Sequence, residues 1–335
     1  MHYWNGLTEV PHTIGPTAVT IGNFDGVHRG HQEVLRQLVS AAAAHQAVSV
    51  AVSFDPHPMQ LHRPDHCPPM LTGVQEKINR LAAAGVGGLL MLSYTWELAG
   101  LSAEEFVKKY FVDALHATVV VVGHDVRFGR DNSGSFDTMV ELGEKFGFTV
   151  LPVDDFSSLD EETSRRCSST WVREALEAGD VAAARDVLGR PHAVLGEVVH
   201  GAARGRELGF PTANLAQDAE GMVPADGIYA GWMVDGDGHR WPAAISVGPN
   251  PTFDGVERVV EAHVIDRPKE SVEDFDVYGQ QVRVEFVERL RGMVAFEGIP
   301  QLIRQIEDDV IGARRILLAD GRENRDYQPA AAVER

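Results

Sequence analysis

A chain of 335 residues with a formal net charge of −19 has room for two domains and is too acidic to present a broad surface to nucleic acid or an anionic membrane. Its composition, 44% hydrophobic and 24% charged, is that of a globular protein, and no apolar run is long enough to span a bilayer. Cys67 and Cys167 match neither a metal-ligand spacing nor a disulfide framework, and Met1–Gly6 has no basic stretch leading into an apolar one, so a reducing cytoplasm is the expected location.

Ala18–Phe24 is apolar and rich in β-branched residues, the pattern of a buried strand. Asp25-Gly26 breaks it as a tight turn, and from His28 onward Val34, Leu35, Leu38 and Val39 recur at helical spacing. His28 and His31 are thereby expected on the first turn of that helix, where free N–H groups and the positive dipole end favour an anion. With Arg29 beside them, two imidazoles suit a phosphate whose charge changes during reaction, and Gly30 lets a ligand approach the backbone. His-x-Gly-His in this strand–turn–helix context resembles the signature of nucleotidyltransferases. Class I aminoacyl-tRNA synthetases, cytidylyltransferases and pantetheine-phosphate adenylyltransferases carry similar stretches, so the acceptor stays open at this point.

Ala47–Phe54 is the next expected strand, ending in Asp55-Pro56-His57-Pro58, where an open α/β sheet binds ligands. A helix over Gly73–Ala84 and a strand over Gly88–Leu92 follow. Ser102 and Glu105 form a capping box that opens a helix through Leu115. The strand Val119–Val122 runs into Gly123–Arg130, then come a helix over Ser135–Phe146 and a strand over Thr149–Val153. This alternation predicts a parallel sheet covered by helices. Ser168, Ser169 and Thr170 precede a helix to Ala178 stopped by Gly179; they read either as caps or as a second phosphate cradle with Arg173 one turn along. Asp180 caps a short helix to Leu188, and Gly189-Arg190-Pro191-His192 divides a domain over 1–189 from one over 190–335.

Beyond that point short strands follow one another: Val194–His200, Ile228–Val234, Trp241–Val247, Val259–Ile265 and Gln281–Val287. In the last, Val282, Val284 and Phe286 alternate with Arg283 and Glu285, the pattern of a half-buried strand. An antiparallel barrel or sandwich closed by a helix over Pro300–Leu318 is expected. Glycines and arginines of Gly201–Asn214 can fold over phosphates, although the P-loop spacing is absent. Thr212 and Asn214, two apart on an extended backbone, point the same way and offer neutral oxygens suited to Mg²⁺ shared with ATP. Glu261 and His263 share a strand face, which is either solvated or turns a carboxylate toward a hydroxyl to be deprotonated. The rigid turn Gly248–Phe253 could line the same pocket.

In family order, GNFDGVHRGHQ (22–32), FDPHP (54–58), GHDVRFG (123–129), SSTWVR (168–173), RGRELGFPTAN (204–214), DGIYAG (226–231), SVGPNPTF (246–253), VEAH (260–263) and VYGQQVRVEFVERLR (277–291) resemble the bifunctional bacterial FAD synthetases, which join a riboflavin kinase to an FMN adenylyltransferase. The resemblance implies an N-terminal α/β domain with a Rossmann-like parallel sheet of nucleotidyltransferase type, and a C-terminal antiparallel β-barrel with a terminal α-helix. It implies ATP-dependent, Mg²⁺-dependent phosphorylation of riboflavin to FMN, then adenylyl transfer from ATP to FMN, giving FAD and pyrophosphate. The partners would be these small molecules, with no nucleic acid and no membrane.

Carried over residue by residue, the resemblance has His28 and His31 stabilise the α-phosphate of ATP. Gly22, Asn23, Phe24, Asp25, Gly26, Ser168, Ser169, Thr170 and Arg173 would hold the nucleotide, and Phe54, His57, Pro58, Asp125, Arg127 and Phe128 would line the FMN side. In the kinase domain Gly201, Arg204, Gly205, Arg206, Gly209 and Pro211 would lie over the ATP phosphates, Thr212 and Asn214 would bind Mg²⁺ and ATP, Glu261 would be the base and Arg291 would lie near the flavin. Val126 and Ala295 depart from the family pattern, which often has an aromatic residue and a lysine there. A monofunctional nucleotidyltransferase with an accessory β-domain and a non-catalytic flavin-binding regulator are the competing readings.

Overall fold

The computed structural model describes residues 1–154, 156, 165–201, 208–249, 258–265 and 277–323. They form two compact units. The first holds Met1–Pro69 and Val74–Ser168; the second holds Met70–Gly73 and the chain from Ser169.

The first unit is built on six strands: β1 (His2–Asn5), β2 (Thr17–Ile21), β3 (Val48–Asp55), β4 (Gly88–Ser93), β5 (Ala117–Gly123) and β6 (Thr149–Val153). They lie in the order β1-β4-β3-β2-β5-β6, and every pairing is parallel. Six helices connect them: α1 (Arg29–Ala44), α2 (Pro58–His62), α3 (Val74–Ala83), α4 (Trp96–Ala99), α5 (Ala103–Phe106) and α6 (Phe136–Phe146). Successive strand residues point to opposite faces, and both faces are apolar. Ala18, Ala51, Leu89, Met91, Val119 and Val121 meet Leu35 and Leu38 of α1 and Ile78 and Leu81 of α3. Val19, Val50, Val52, Leu90, Val120 and Val122 meet Phe106, Tyr110, Phe111, Met139 and Leu142 on the other side.

The expected parallel sheet is therefore present, with local differences. Strand β1 was not expected, because in its sequence, His-Tyr-Trp-Asn, only Trp4 is buried at the sheet edge. Strand β2 stops at Ile21 rather than Phe24, since Phe24 takes a positive φ of 48°. The capping box at Ser102 and Glu105 forms, but past Phe106 the helix widens to π-type turns over Val107–Ala114. Val126, one of the departures from the family pattern, packs against the second of these cores.

The second unit is a closed antiparallel barrel of β7 (His192–Val199), β8 (Ala213–Leu215), β9 (Gly227–Val234), β10 (Arg240–Pro249), β11 (Arg258–Val264) and β12 (Gln281–Arg291), ordered β10-β11-β8-β7-β12-β9. It also contains α7 (Ser169–Ala178), α8 (Val181–Leu188) and α9 (Ile299–Glu323). The barrel, not the sandwich, is the outcome. Three-residue β8 was too short to be read from periodicity.

Strand β12 is not half-buried as its alternation implied: Arg283 and Glu285 are buried along with the apolar residues between them. The reason is a charge network on that face. Glu285 takes Arg283 and Arg240 at 2.9 Å each, and Asp320 of α9 takes Arg185 of α8 at 2.7 Å and the Trp232 indole at 2.8 Å. Arg289 adds hydrogen bonds to the Ala178 and Asp226 carbonyls, tying the end of α7 to the barrel. Met70–Gly73 belongs to this unit as well: Leu71 is fully buried, and a Cβ at Gly73 would overlap the Glu220 side chain.

The division at 189/190 read from the sequence falls just after α8, whose Val181, Ala184, Val187 and Leu188 are buried. A fragment beginning at Ser169 is expected to unfold several degrees higher than one beginning at Arg190, which loses that apolar face and the Arg185 partner of Asp320. Differential scanning calorimetry of the two fragments checks this; equal midpoints would mean that α7 and α8 add nothing to the barrel.

Candidate active sites

The loop after β2 carries Gly22, Asn23, Phe24, Asp25 and Gly26. It is held in place by a hydrogen bond from Ser53 Oγ to the Asn23 carbonyl at 3.2 Å and by burial of the Phe24 and Val27 side chains. Both residues take positive φ, 48° and 41°, which for a β-branched valine is a strained backbone.

His28 is not on the first turn of α1 but is its N-cap, with extended backbone. Its Nδ1 accepts the His31 backbone N–H at 3.3 Å, so the neutral ring carries its proton on Nε2. Cap and motif are thus the same residue. The two imidazoles stack, with centroids 3.7 Å apart and planes 19° from parallel, and the edge of His31 meets Phe24. Gly30 has a different use from the expected one. A Cβ there would lie 3.2 Å from the His28 ring and 3.4 Å from the Cys167 carbonyl, so the vacancy is filled by the protein itself. His31 Nδ1 is buried without a hydrogen-bond partner among the described residues. Burial, then the positive charges of His28, Lys77 and Arg166, hold His31 well below the usual histidine range, so it is a neutral imidazole at neutral pH.

Beside this loop lies a cleft of about 960 Å³ at the carboxyl ends of the strands. It brings together Gly22 and Asn23 with Phe54, His57, Pro58, Arg127 and Phe128, five of the six residues expected on the FMN side. The sixth, Asp125, is not part of its wall and pairs with Arg166 at 2.6 Å. His57 repeats the device of His28, capping α2 through Nδ1 to the Met59 N–H at 3.2 Å. The wall also contains His62, Tyr94 and Trp96, which sequence reasoning missed. His62 is hydrogen-bonded to the Tyr94 hydroxyl at 3.0 Å and packs edge-on against Trp96, which is 64% exposed. The available signal was two aromatic residues immediately after the end of β4.

Of the three hydroxyl residues expected before a helix, only Ser168 precedes it, as the last residue of the first unit. Ser169 and Thr170 are the opening residues of α7, and Arg173 follows one turn on, all in the second unit.

In the barrel, Asn214 of β8 stands directly opposite Glu261 of β11, and Ser246 of β10 stands opposite Glu261 on the other side. Directly paired residues share a face, so the three form one polar row across three strands. Ser246 was not singled out from the sequence. Asn214 Nδ2 donates to Thr212 Oγ1 at 3.2 Å, which leaves Oδ1 as the free-standing acceptor of that amide. Gly201 makes room for it, because a Cβ there would come within 2.5 Å of the Asn214 side chain. His263, two residues along β11 from Glu261, has its Nδ1 2.8 Å from the Pro211 carbonyl and its ring against Phe210. Gly209 has φ 87°, as a tight turn before Pro211 requires. Arg291 is engaged by Asp309 of α9 through Nε at 2.9 Å and Nη2 at 2.7 Å. Arg204, Gly205 and Arg206 lie outside the described residues, as do Asn250–Phe253 of the expected rigid turn.

The FAD synthetase family model matches residues 10–170 and the riboflavin kinase family model matches residues 188–317. A bifunctional riboflavin kinase/FMN adenylyltransferase of Pseudomonas fluorescens is 37% identical over 298 residues, covering 89% of this chain and 92% of that protein. The protein of the same name from Escherichia coli (strain K12) is 33% identical over 296 residues, covering 88% and 91%. A crystal structure titled macrolide-efflux protein from Streptococcus pneumoniae superposes with a TM-score of 0.79 at 30% identity, over 93% of this chain and 98% of that one. Among the described residues of the present chain no helix is long and apolar enough to cross a membrane. With both family models in sequence along one polypeptide, the chain belongs to the family of bifunctional riboflavin kinase/FMN adenylyltransferases, the FAD synthetases.

Proposed function

We infer that the chain makes FAD in two transfers: riboflavin is phosphorylated by ATP at the barrel, and the FMN formed accepts an adenylyl group from ATP at the parallel-sheet unit. The observation that carries the reading is that each unit assembles its own polar group, stacked His28 and His31 beside an aromatic cleft in one, and Asn214 opposite Glu261 in the other.

In the barrel the Glu261 carboxylate takes the proton of the riboflavin 5′-hydroxyl as that oxygen attacks the γ-phosphorus of ATP and ADP leaves. Thr212 and Asn214 hold the phosphates next to it. Their hard, neutral oxygens and the cradle that a Cβ at Gly201 would fill fit Mg²⁺, which when bound supplies neutralisation of the ATP phosphate charge. In the other unit a phosphate oxygen of FMN attacks the α-phosphorus of ATP, the bond to the β-phosphate oxygen breaks, and pyrophosphate leaves. His28, with its proton on Nε2, and His31 donate to the oxygens on which charge grows. The cleft of Phe54, Tyr94, Trp96 and Phe128 takes the flavin ring on aromatic faces and edges. The two free cysteines and the substrates themselves favour a cytoplasmic place for both reactions.

Replacing His28 and His31 together by alanine is expected to lower FAD formation from FMN by about a hundredfold or more and to leave riboflavin phosphorylation near normal. Glu261→Ala is expected to do the reverse, with a loss of about a hundred- to ten-thousandfold. Separate assays with riboflavin and with FMN check both; a folded variant that silences both reactions would show that the activities are not housed as described.

Gly201→Ala pushes the Asn214 amide out of place, and riboflavin phosphorylation is expected to fall roughly ten- to a hundredfold while adenylyl transfer is retained. An unchanged kinase rate would remove Asn214 from the phosphate site. Excess chelator is expected to stop both reactions and added Mg²⁺ to restore them; full turnover under chelation would rule the ion out.

A further inference from the structure

Helix α3 opens at Val74, and its fourth residue, Lys77, is only 8% exposed. A lysine on an amphipathic helix ordinarily reaches solvent. Here Ile78 and Leu81 anchor α3 in the same core as Leu35 and Leu38 of α1, so the two helices cover the same face of the sheet. Each follows a strand of a parallel sheet, so both start at the edge where the carboxyl ends lie.

Lys77 therefore sits in the first turn of one helix, near the start of the other. A cation is unfavourable there, because both dipoles turn their positive ends the same way. Among the described residues its ammonium makes no hydrogen bond and no ion pair within 4 Å; the charges that act on it are Asp25, in the loop after β2, and Asp55, the last residue of β3. Burial pulls Lys77 below the usual lysine range while these carboxylates pull it back. Its charge also reaches His31, as does that of Arg166. The two carboxylates stand beyond ion-pair distance and offset this burial only in part, an arrangement for which folding alone gives no reason. Two cations, Lys77 and Arg166, thus act on His31, whose Nδ1 is buried without a hydrogen-bond partner among the described residues. A polyanion completes such a site.

We propose that Lys77 is a catalytic residue of adenylyl transfer, its ammonium binding the β- and γ-phosphates of ATP and holding them as pyrophosphate departs. The new bond joins an FMN phosphate oxygen to the α-phosphorus. The bond that breaks leaves its electron pair on pyrophosphate, and Lys77 meets that growing charge without a proton transfer. The proposal rests on placing adenylyl transfer at His28 and His31.

The test uses the full chain with Lys77→Met, which removes the charge and keeps the length of the side chain. FAD formation from FMN should fall at least about a hundredfold, and inhibition of the residual activity by added inorganic pyrophosphate should weaken at least about tenfold. Riboflavin phosphorylation should stay within twofold in the same preparation, and the thermal midpoint should equal or exceed that of the parent, since a buried charge has been removed. Lys77→Arg should recover part of the lost activity. A midpoint lowered by several degrees, or failure to fold, would show that the ammonium serves the fold and would overturn the proposal. So would a stable Lys77→Met protein that keeps FAD formation within threefold, or one that loses it with pyrophosphate inhibition unchanged. The histidine double variant separates the two ideas: if it keeps FAD formation the site assignment falls, whereas if it loses activity and Lys77→Met does not, only the role of Lys77 falls.

Discussion

Parallel pairing of β2 with β3 and β5 is the constraint on which the first unit depends. Ile21 lies beside Val52, and Val19 beside Val120, with all three strands running the same way. The loops after β2, β3, β4 and β5 consequently all emerge at one edge. Both faces of these strands are buried, so Ala18, Val19, Val50, Ala51, Val120 and Val121 have no room for polar chemistry. Histidines, carboxylates and arginines are confined to the edge, which is where the stacked imidazoles and the cleft occur. The site is thus a by-product of packing: the only backbone left over for function is the backbone that leaves the sheet.

The barrel solves the same problem sideways. Its polar row runs across the strands, from Asn214 to Glu261 to Ser246, because antiparallel neighbours face each other directly. Elsewhere in this unit buried charge is paired with care. Asp320 is met by Arg185 and by the Trp232 indole, and Glu285 by Arg240 and Arg283. Removing one member of such a set leaves a desolvated charge, typically a loss of about 3–5 kcal/mol. The network joins α8, α9 and three strands, so the helices are fastened to the barrel by charge as well as by the small apolar cluster around Ala313 and Leu317.

Much of this was legible. Strand β6 has the expected bounds, the capping box forms, and the loops that carry the candidate site residues follow the strands that periodicity located. What was not legible has identifiable causes. The start of α1 is set by a side chain, His28 Nδ1, accepting a backbone N–H, and apolar spacing does not encode that hydrogen bond. Arg283 and Glu285 alternate as solvated residues do; the partners that bury them, Arg240 and Asp320, are distant in sequence. Strands β1 and β8 are too short or too polar to show a period. The burial of Lys77 leaves no mark in the spacing of its helix, because burial is a property of the assembled sheet.

The four residues Met70–Gly73 are embedded in the sequence of the first unit yet belong to the second. Leu71 is fully buried, and Gly73 leaves space for Glu220. No single break in the polypeptide yields both units whole. A gene split near the middle leaves Met70–Gly73 on the amino-terminal product and the rest of their unit on the carboxyl-terminal one. The division of the contacts thus does not follow the division of the sequence, and a stand-alone barrel lacks four residues that pack with it here.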